Sequence, residues 1–429
     1  MPKTRSDGRK IPNMLMVGTG EYTTGYTSQG KSQSDKKKGV VGLVLFDQRR
    51  LGHVGELSMV GTNGRKFPAI RDHLQRAIGE VYHDMDVSFN SFPADDAVNP
   101  EAYRDAISRM QPGDGVIIFT PDETHYSIAR TSLEHGLHVL VTKPPVMTLV
   151  EHQDLVSLAE GRDLIANVEV HKRWDPNYRN ARQEIRRHTP FTDFRSYMAQ
   201  PKRQLDTFSK WVGQSPTDIS YYLNSHHVDW HVWAMEGIAR PTKVHASAAT
   251  GIARAKGYNT EDMITLIVEW VDLKNPSFVG TAVYTAGWVE PESEVHTRQG
   301  FDIIAGTTKL QEDQSRRGYW VLSDGKQVES RNPLYMDYEP DEGGFFAGQH
   351  GYGYLSIASF VAAIGNVLNG ERKVSDMHRT LPTLKRTQQL TAILQAGRMS
   401  LNSGLPMEIT YADATSIVPV AIQQYGGRK

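Results

Sequence analysis

Leu137-His138-Val139-Leu140-Val141-Thr142-Lys143-Pro144-Pro145 decides how the rest of the chain is read. An apolar run too short for a helix, opened by Gly136 and stopped by two prolines, predicts a buried parallel strand. Proline has no N–H for a strand ladder, so Pro144 and Pro145 take the backbone out of the sheet directly after Lys143. One lysine is thereby placed at the carboxyl end of a parallel strand, where open α/β sheets bind their ligands.

Upstream, Asn13-Met14-Leu15-Met16-Val17-Gly18-Thr19-Gly20 predicts a first strand running into a glycine turn. A G-x-G turn after a strand leaves the backbone bare for a pyrophosphate, whose charge then rests on amide N–H groups. The usual third glycine is displaced to Gly25, and residues 20–39 form a polar insertion ending in Lys36-Lys37-Lys38, either mobile or folded over a cofactor. Residues 40–51 predict a helix and 56–62 the second strand. Thr62-Asn63-Gly64-Arg65-Lys66 at its end offers two cations and no acid, which leans towards a ribose 2′-phosphate and NADP. A rival register makes 40–46 the second strand, ends it at Asp47 and implies NAD.

A helix over 67–78, a strand over 87–89 and a helix over 101–109 follow. Gly115-Val116-Ile117-Ile118-Phe119-Thr120-Pro121-Asp122-Glu123-Thr124-His125 then reads as strand, turn and helix opening, and 127–135 completes that helix. This alternation predicts a parallel sheet, with a nucleotide-binding domain over 1–146 and a second domain over 147–429. The second domain opens with a helix over 149–160, a strand over 163–170, the segment 171–178 and a helix reaching Arg187. After a polar loop at 200–216 and a helix over 218–235, strands at 243–249, 263–271, 278–286, 301–305, 309–312 and 319–322 predict an open, mostly antiparallel sheet. One face of such a sheet is available for a partner. Residues 332–354 are Gly- and Tyr-rich without periodicity, and a loop of that length is functional or disordered. Helices over 355–368 and 381–401 close the chain. The fold class is α/β, with an N-terminal Rossmann domain and a C-terminal α+β domain.

The chain has 429 residues, 39% hydrophobic and 23% charged, with a formal net charge of −1 and no cysteine. This excludes disulfides, thiolate metal sites and a cysteine nucleophile, and gives no electrostatic case for nucleic acid or a membrane surface. No apolar run is long enough to span a bilayer. The polar, basic start shows no signal peptide, so a cytoplasmic protein is expected.

Asp218-Ile219-Ser220-Tyr221-Tyr222-Leu223-Asn224-Ser225-His226-His227-Val228-Asp229-Trp230-His231-Val232-Trp233 is the second cluster of chemistry. Helical spacing puts Asp218, Tyr222 and His226 on one face, and His227 and His231 on another. An i, i+4 histidine pair can hold zinc, but no third ligand accompanies it, so a core or interface role is expected and no metal.

Six segments in order resemble the glucose–fructose oxidoreductase/inositol dehydrogenase (Gfo/Idh/MocA) family. Val17-Gly18-Thr19-Gly20 resembles its dinucleotide turn, Thr120 to His125 its TPxxxH segment and Val141-Thr142-Lys143-Pro144 its EKP strand end. Arg173-Trp174-Asp175-Pro176-Asn177-Tyr178 resembles its RFDPxY segment, His226 to Trp233 its HxxD…W helix, and Ser403-Gly404-Leu405-Pro406-Met407-Glu408 its closing strand. The resemblance implies that Lys143 and His226 are the catalytic lysine and histidine. It implies cofactor contacts at Gly18, Thr19, Gly20, Glu21 and Tyr22, at Thr62, Asn63 and Arg65, at Phe119, Thr120, Pro121 and His125, and at Thr142 and Lys143. Two positions depart from the pattern: Thr142 replaces the glutamate before the lysine, and Tyr222 replaces the histidine's aspartate. Asp218, one turn further back, is the candidate substitute for the latter.

The expected activity is hydride transfer between NAD or NADP and a hydroxyl or keto carbon of a sugar, polyol or sugar derivative. His226 takes the hydroxyl proton, Lys143 stabilises the developing alkoxide, and Tyr222 hydrogen-bonds the substrate or relays the proton. Further substrate contacts are expected at His171, Arg173 and Trp211, the first two because alternate residues leave a strand end in one direction. The alternatives are a glycoside-cleaving enzyme that retains its NAD and a non-catalytic dinucleotide-binding regulator. A homodimer or homotetramer through the C-terminal sheet is expected, with no nucleic-acid or membrane partner.

Overall fold

Met14–Val17, the first strand (β1), is buried along its whole length. The same holds for Leu57–Val60 (β2), Gly115–Ile118 (β4) and Ala166–Glu169 (β6), while His138–Thr142 (β5) is buried up to its last residue and Asn90–Phe92 (β3) lies at the edge. Strands covered on both faces favour apolar residues on both, which is why most of them read as near-continuous runs rather than alternations; Ser58, Asn167 and Glu169 are among their buried polar positions. All five pairings are parallel and the order is β3-β2-β1-β4-β5-β6. This is the doubly wound dinucleotide-binding order, with its reversal between β1 and β4.

The computed structural model describes residues 3–4, 7–27, 30–32, 36–207, 217–317, 319–325 and 328–426. It forms two compact units. The first comprises Met1–Pro145, Gln153–His171 and Pro333–Arg386, and the second Val146–His152, Lys172–Asn332 and Thr387–Lys429. That partition differs from the single boundary expected at residue 146, because the chain returns twice to the first unit. One return supplies β6, whose outer edge is covered by the backbone near Thr383: Val168 N–H donates to the Pro382 carbonyl at 2.8 Å. Covering an edge in this way blocks further strand addition. The other return, Pro333–Arg386, carries that covering backbone and also brings helix Tyr352–Leu368, whose Ser356 reaches β6.

Helix Val41–Arg50 and β2 fall where the sequence places them. Asp47 lies inside that helix, fully buried and bonded to Arg50 and Tyr354, so the rival register that ended a strand there is excluded. The strand expected over 87–89 begins three residues later. Asp86 accepts from both the N–H and the hydroxyl of Ser88, and this side-chain turn holds the backbone out of the sheet.

In the second unit an eight-stranded sheet forms from Phe191–Pro201 (β7), Ala239–Ala249 (β8), Met263–Asp272 (β9), Val279–Glu290 (β10), Arg298–Ala305 (β11), Thr308–Asp313 (β12), Met407–Tyr411 (β13) and Pro419–Gln424 (β14). Its order is β12-β11-β7-β10-β9-β8-β13-β14, antiparallel except between β7 and β10. Buried and exposed positions alternate along β9 and β10, so one face packs on the core and the other is half-exposed. Strand β7 escaped the sequence because a register shift between Phe191 and Asp193 breaks the period-2 pattern. The strand expected at 319–322 pairs instead with Glu329–Ser330 in a separate ribbon. Among the described residues no helix is long and apolar enough to cross a membrane.

Candidate functional site

The first unit gathers its chemistry at the carboxyl ends of β1, β4, β5 and β6. Gly18 leaves β1 with φ +110°, and a Cβ there would lie 2.0 Å from the Phe119 carbonyl oxygen, so only glycine fits between the two strand ends. Nothing lies within 4 Å of a Cβ built on Gly20, which starts the one-turn helix Glu21–Thr24. A bare turn with open space in front of it, at the reversal of a doubly wound sheet, fits a dinucleotide diphosphate. Glu21 accepts the Ser32 hydroxyl. Tyr22 stacks on Phe119 with centroids 4.6 Å apart and planes 9° apart, and its hydroxyl receives that of Tyr335 at 2.7 Å. Tyr335 belongs to the long loop after residue 332, which thus reaches this site.

At the end of β2, the Asn63 side chain caps the turn Gly64–Lys66 by accepting from Arg65 N–H. Thr62, Arg65 and Lys66 are exposed, and the Arg65 Nε donates to the Asp96 carbonyl at 3.3 Å. After β4, the hydroxyl of Thr124 donates to that of Thr120. His125 is fully buried. Its Nδ1 lies 2.8 Å from the Pro144 carbonyl oxygen and its Nε2 2.9 Å from that of Thr120. It therefore shapes the turns carrying Thr120, Pro121 and Lys143 from behind, and is not placed to touch a ligand as expected.

Thr142 is the last residue of β5, and Lys143 precedes a cis peptide bond to Pro144. Burial draws the Lys143 ammonium down to about 8, against the opposing carboxylates of Asp122 and Glu169 and together with Lys36. Glu169 ends β6 directly across the ladder from Thr142. Burial alone would raise its carboxyl, but His171, Ser356 and Lys143 outweigh this and hold it below the usual carboxylate range. Ser356 Oγ donates to Glu169 Oε1 at 2.8 Å, and His171 Nδ1 lies 3.4 Å from the same oxygen. The His171 ring is flanked by Tyr352 and Tyr335, with centroids 5.6 and 5.5 Å away. Burial and Glu169 push the Tyr22 phenol well above its usual range. Glu169 was not singled out from sequence. A carboxylate inside a run read as a buried strand was the available signal.

The second unit holds the histidine helix. A π turn, Ser220–Asn224, precedes helix Ser225–Met235, so the regular i, i+4 spacing assumed for Asp218, Tyr222 and His226 does not apply. Asp218 does not serve as the histidine's carboxylate. One of its oxygens accepts from Ser220 and Tyr221 N–H groups and the other from Arg398. Tyr222 is half-buried and stacks on Trp288 at 5.5 Å, while His226 is buried. His227 Nε2 lies 2.9 Å from the Tyr178 hydroxyl, and His231 Nδ1 lies 2.6 Å from the Tyr284 hydroxyl. Burial takes both imidazoles well below their ordinary range, Lys172 adding to the effect at His227.

Arg173 is not a substrate contact in this arrangement. Its Nε and Nη2 fork onto the Asp229 carboxylate at 2.9 and 2.7 Å, with both side chains buried. Residues His171–Arg173 form a 3-10 turn rather than a strand end, so the expectation that alternate residues point one way fails there. Lys172 turns inward too, its ammonium donating to Gln299 and Tyr178. Trp211 lies outside the described residues.

Residues 13–170 match the model of the oxidoreductase family with NAD-binding Rossmann fold, GFO_IDH_MocA. The N-terminal Rossmann domain belongs to the Gfo/Idh/MocA oxidoreductase family. Among curated relatives, an uncharacterized oxidoreductase of Escherichia coli (strain K12) is 37% identical over 65 residues, 15% of this chain and 19% of the relative. A scyllo-inositol 2-dehydrogenase (NADP(+)) of Bacillus subtilis (strain 168) is 25% identical over 208 residues, 47% of this chain and 54% of the relative. The matches thus span from about a fifth to about half of these relatives' length. The fold extends further: scyllo-inositol dehydrogenase from Lactobacillus casei, solved with NAD(H) and scyllo-inositol, superposes with TM-score 0.62 at 14% identity, covering 93% of this chain and 99% of that one.

Proposed function

We propose that this Gfo/Idh/MocA member is an NAD(P)-dependent dehydrogenase or reductase acting on a hydroxyl or keto carbon of a sugar, polyol or sugar derivative. The observation that carries it is Lys143, a lysine whose ammonium is lowered to about 8 at the carboxyl end of β5 in a sheet whose first turn fits a diphosphate. Gly18, Thr19 and Gly20, with Glu21 and Tyr22, would hold the diphosphate side of the cofactor, and Phe119, Thr120, Pro121 and Thr142 the nicotinamide side. Thr62, Asn63 and Arg65 would meet the adenosine ribose. Two exposed cations and no acid between Thr62 and Lys66 favour NADP. Hydride acceptance or donation is the chemistry the nicotinamide supplies when bound.

Below about pH 8 Lys143 is cationic and stabilises negative charge growing on a substrate oxygen. His226 is the proposed proton acceptor, an imidazole being suited to that exchange near neutral pH. Tyr222 offers a hydroxyl to the substrate, and His171 is a further substrate contact. The half-exposed face of the second unit's sheet supports a homodimer or homotetramer. Calorimetry with NAD and NADP, followed by a polyol and sugar panel, tests the proposal. Binding is expected, tighter for NADP, with loss of binding in Gly18→Ala. A wild-type protein that binds neither dinucleotide contradicts it.

A further inference from the structure

We infer that Glu169 is the positioning carboxylate of the Lys143 site, fixing the ammonium from the β6 side and joining it to His171. The role rests on the dehydrogenase proposal above, which assigns Glu169 nothing. The sheet order sets the geometry. Strand β5 lies between β4 and β6, so the turn after β4 delivers Asp122 on one flank of Lys143 and the end of β6 delivers Glu169 on the other. Thr142, the residue before Lys143 and the ladder partner of Glu169, is uncharged.

Glu169 is 2% exposed. A carboxylate withdrawn from water is costly unless its partners are in place, and here each partner is specific. Ser356 donates to one oxygen, His171 stands 3.4 Å from the same atom, and Lys143 supplies the opposite charge. A residue needed only for packing at a strand end would not carry a charge there. The charged and titratable groups facing this pair are Asp122 from the turn after β4, Lys36 from the insertion, Tyr22 from the first turn and His171 after β6. Lys36 is the only one of these that opposes a proton on Lys143.

Acylation of Lys143 by acetic anhydride, which the neutral amine attacks with release of acetate, followed by mass spectrometry across pH in the cofactor-free protein, reads the fraction of neutral amine. The wild-type transition is expected near 8. Glu169→Gln keeps an acceptor for Ser356 but removes the charge, and is expected to move the transition down by about one pH unit. Glu169→Asp keeps the charge, so its transition should fall between the two, which leaves a second variant if the glutamine protein folds poorly. In turnover, Glu169→Gln is expected to lower kcat about tenfold with little change in KM, to shift the alkaline limb of kcat downwards, and to be largely rescued by aspartate. A Lys143 transition that stays at the wild-type pH in both variants overturns the inference. Failure of the wild type to bind a dinucleotide would instead overturn the dehydrogenase proposal, and the labelling result is read without any cofactor.

Discussion

The Lys143 cluster of the first unit and the His227–His231 pair of the second bury ionisable groups in opposite ways. Around Lys143 the charges are kept: the ammonium is lowered only to about 8, and Glu169, with almost no solvent, stays below the usual carboxylate range. At His227 and His231 the charge is removed, since burial drives both well below the ordinary imidazole range and each is matched to a tyrosine hydroxyl. His231 even stacks as a core ring, 4.3 Å from Phe194 and 4.4 Å from Trp270. Neutral burial costs little and adds rigidity, whereas retained charge in a dry site is costly without a chemical use. The contrast assigns chemistry to the first group and packing to the second.

Lys143→Met should break the comparison most severely. Loss of the charge is expected to lower kcat by about two to four orders of magnitude while the dinucleotide Kd measured by calorimetry changes little. A variant retaining wild-type turnover would move Lys143 into the packing class. Arg173→Ala probes an inward charge fork of the second unit. It leaves the Asp229 carboxylate buried and alone, and should cost about 3–5 kcal/mol in denaturant unfolding. Arg173→Met with Asp229→Leu should recover most of that stability. If Arg173 were a substrate contact, KM would rise instead and stability would hold.

The smallest effect is a pH slope. The folded-state values of His227 and His231 lie below the unfolded value of 6.5, so the unfolded chain binds more protons as the solution is acidified. Their contribution is therefore present above about pH 6.5 and is lost as pH falls, by up to about 1.4 kcal/mol per pH unit for each ring. His231→Phe should flatten the acid limb of the unfolding curve by one such slope, measured by urea titration at several pH values.

Much of the first unit was legible because its signals are local. The run ending in Lys143-Pro144-Pro145 specifies a strand and its stop without reference to any other segment, and Gly18-Thr19-Gly20 specifies a bare turn. What stayed hidden depends on partners distant in sequence or on small changes of helical pitch. Glu169 gains its meaning from Thr142 across the ladder and from Ser356, which returns to the unit only after residue 333. Arg173 and the face of Tyr222 were misjudged because a 3-10 turn and a π turn replace the regular periods from which direction is read. Strand β7 was lost to one register shift.

The pH dependence of kcat for the wild-type protein, with saturating dinucleotide and the best substrate of the polyol and sugar panel, tests the central claim most directly. If Lys143 works as a half-buried, partly desolvated cation, kcat should fall along an alkaline limb centred near 8, as that ammonium loses its proton. A rate that stays level to about pH 10, where an unperturbed lysine would titrate, would contradict the account.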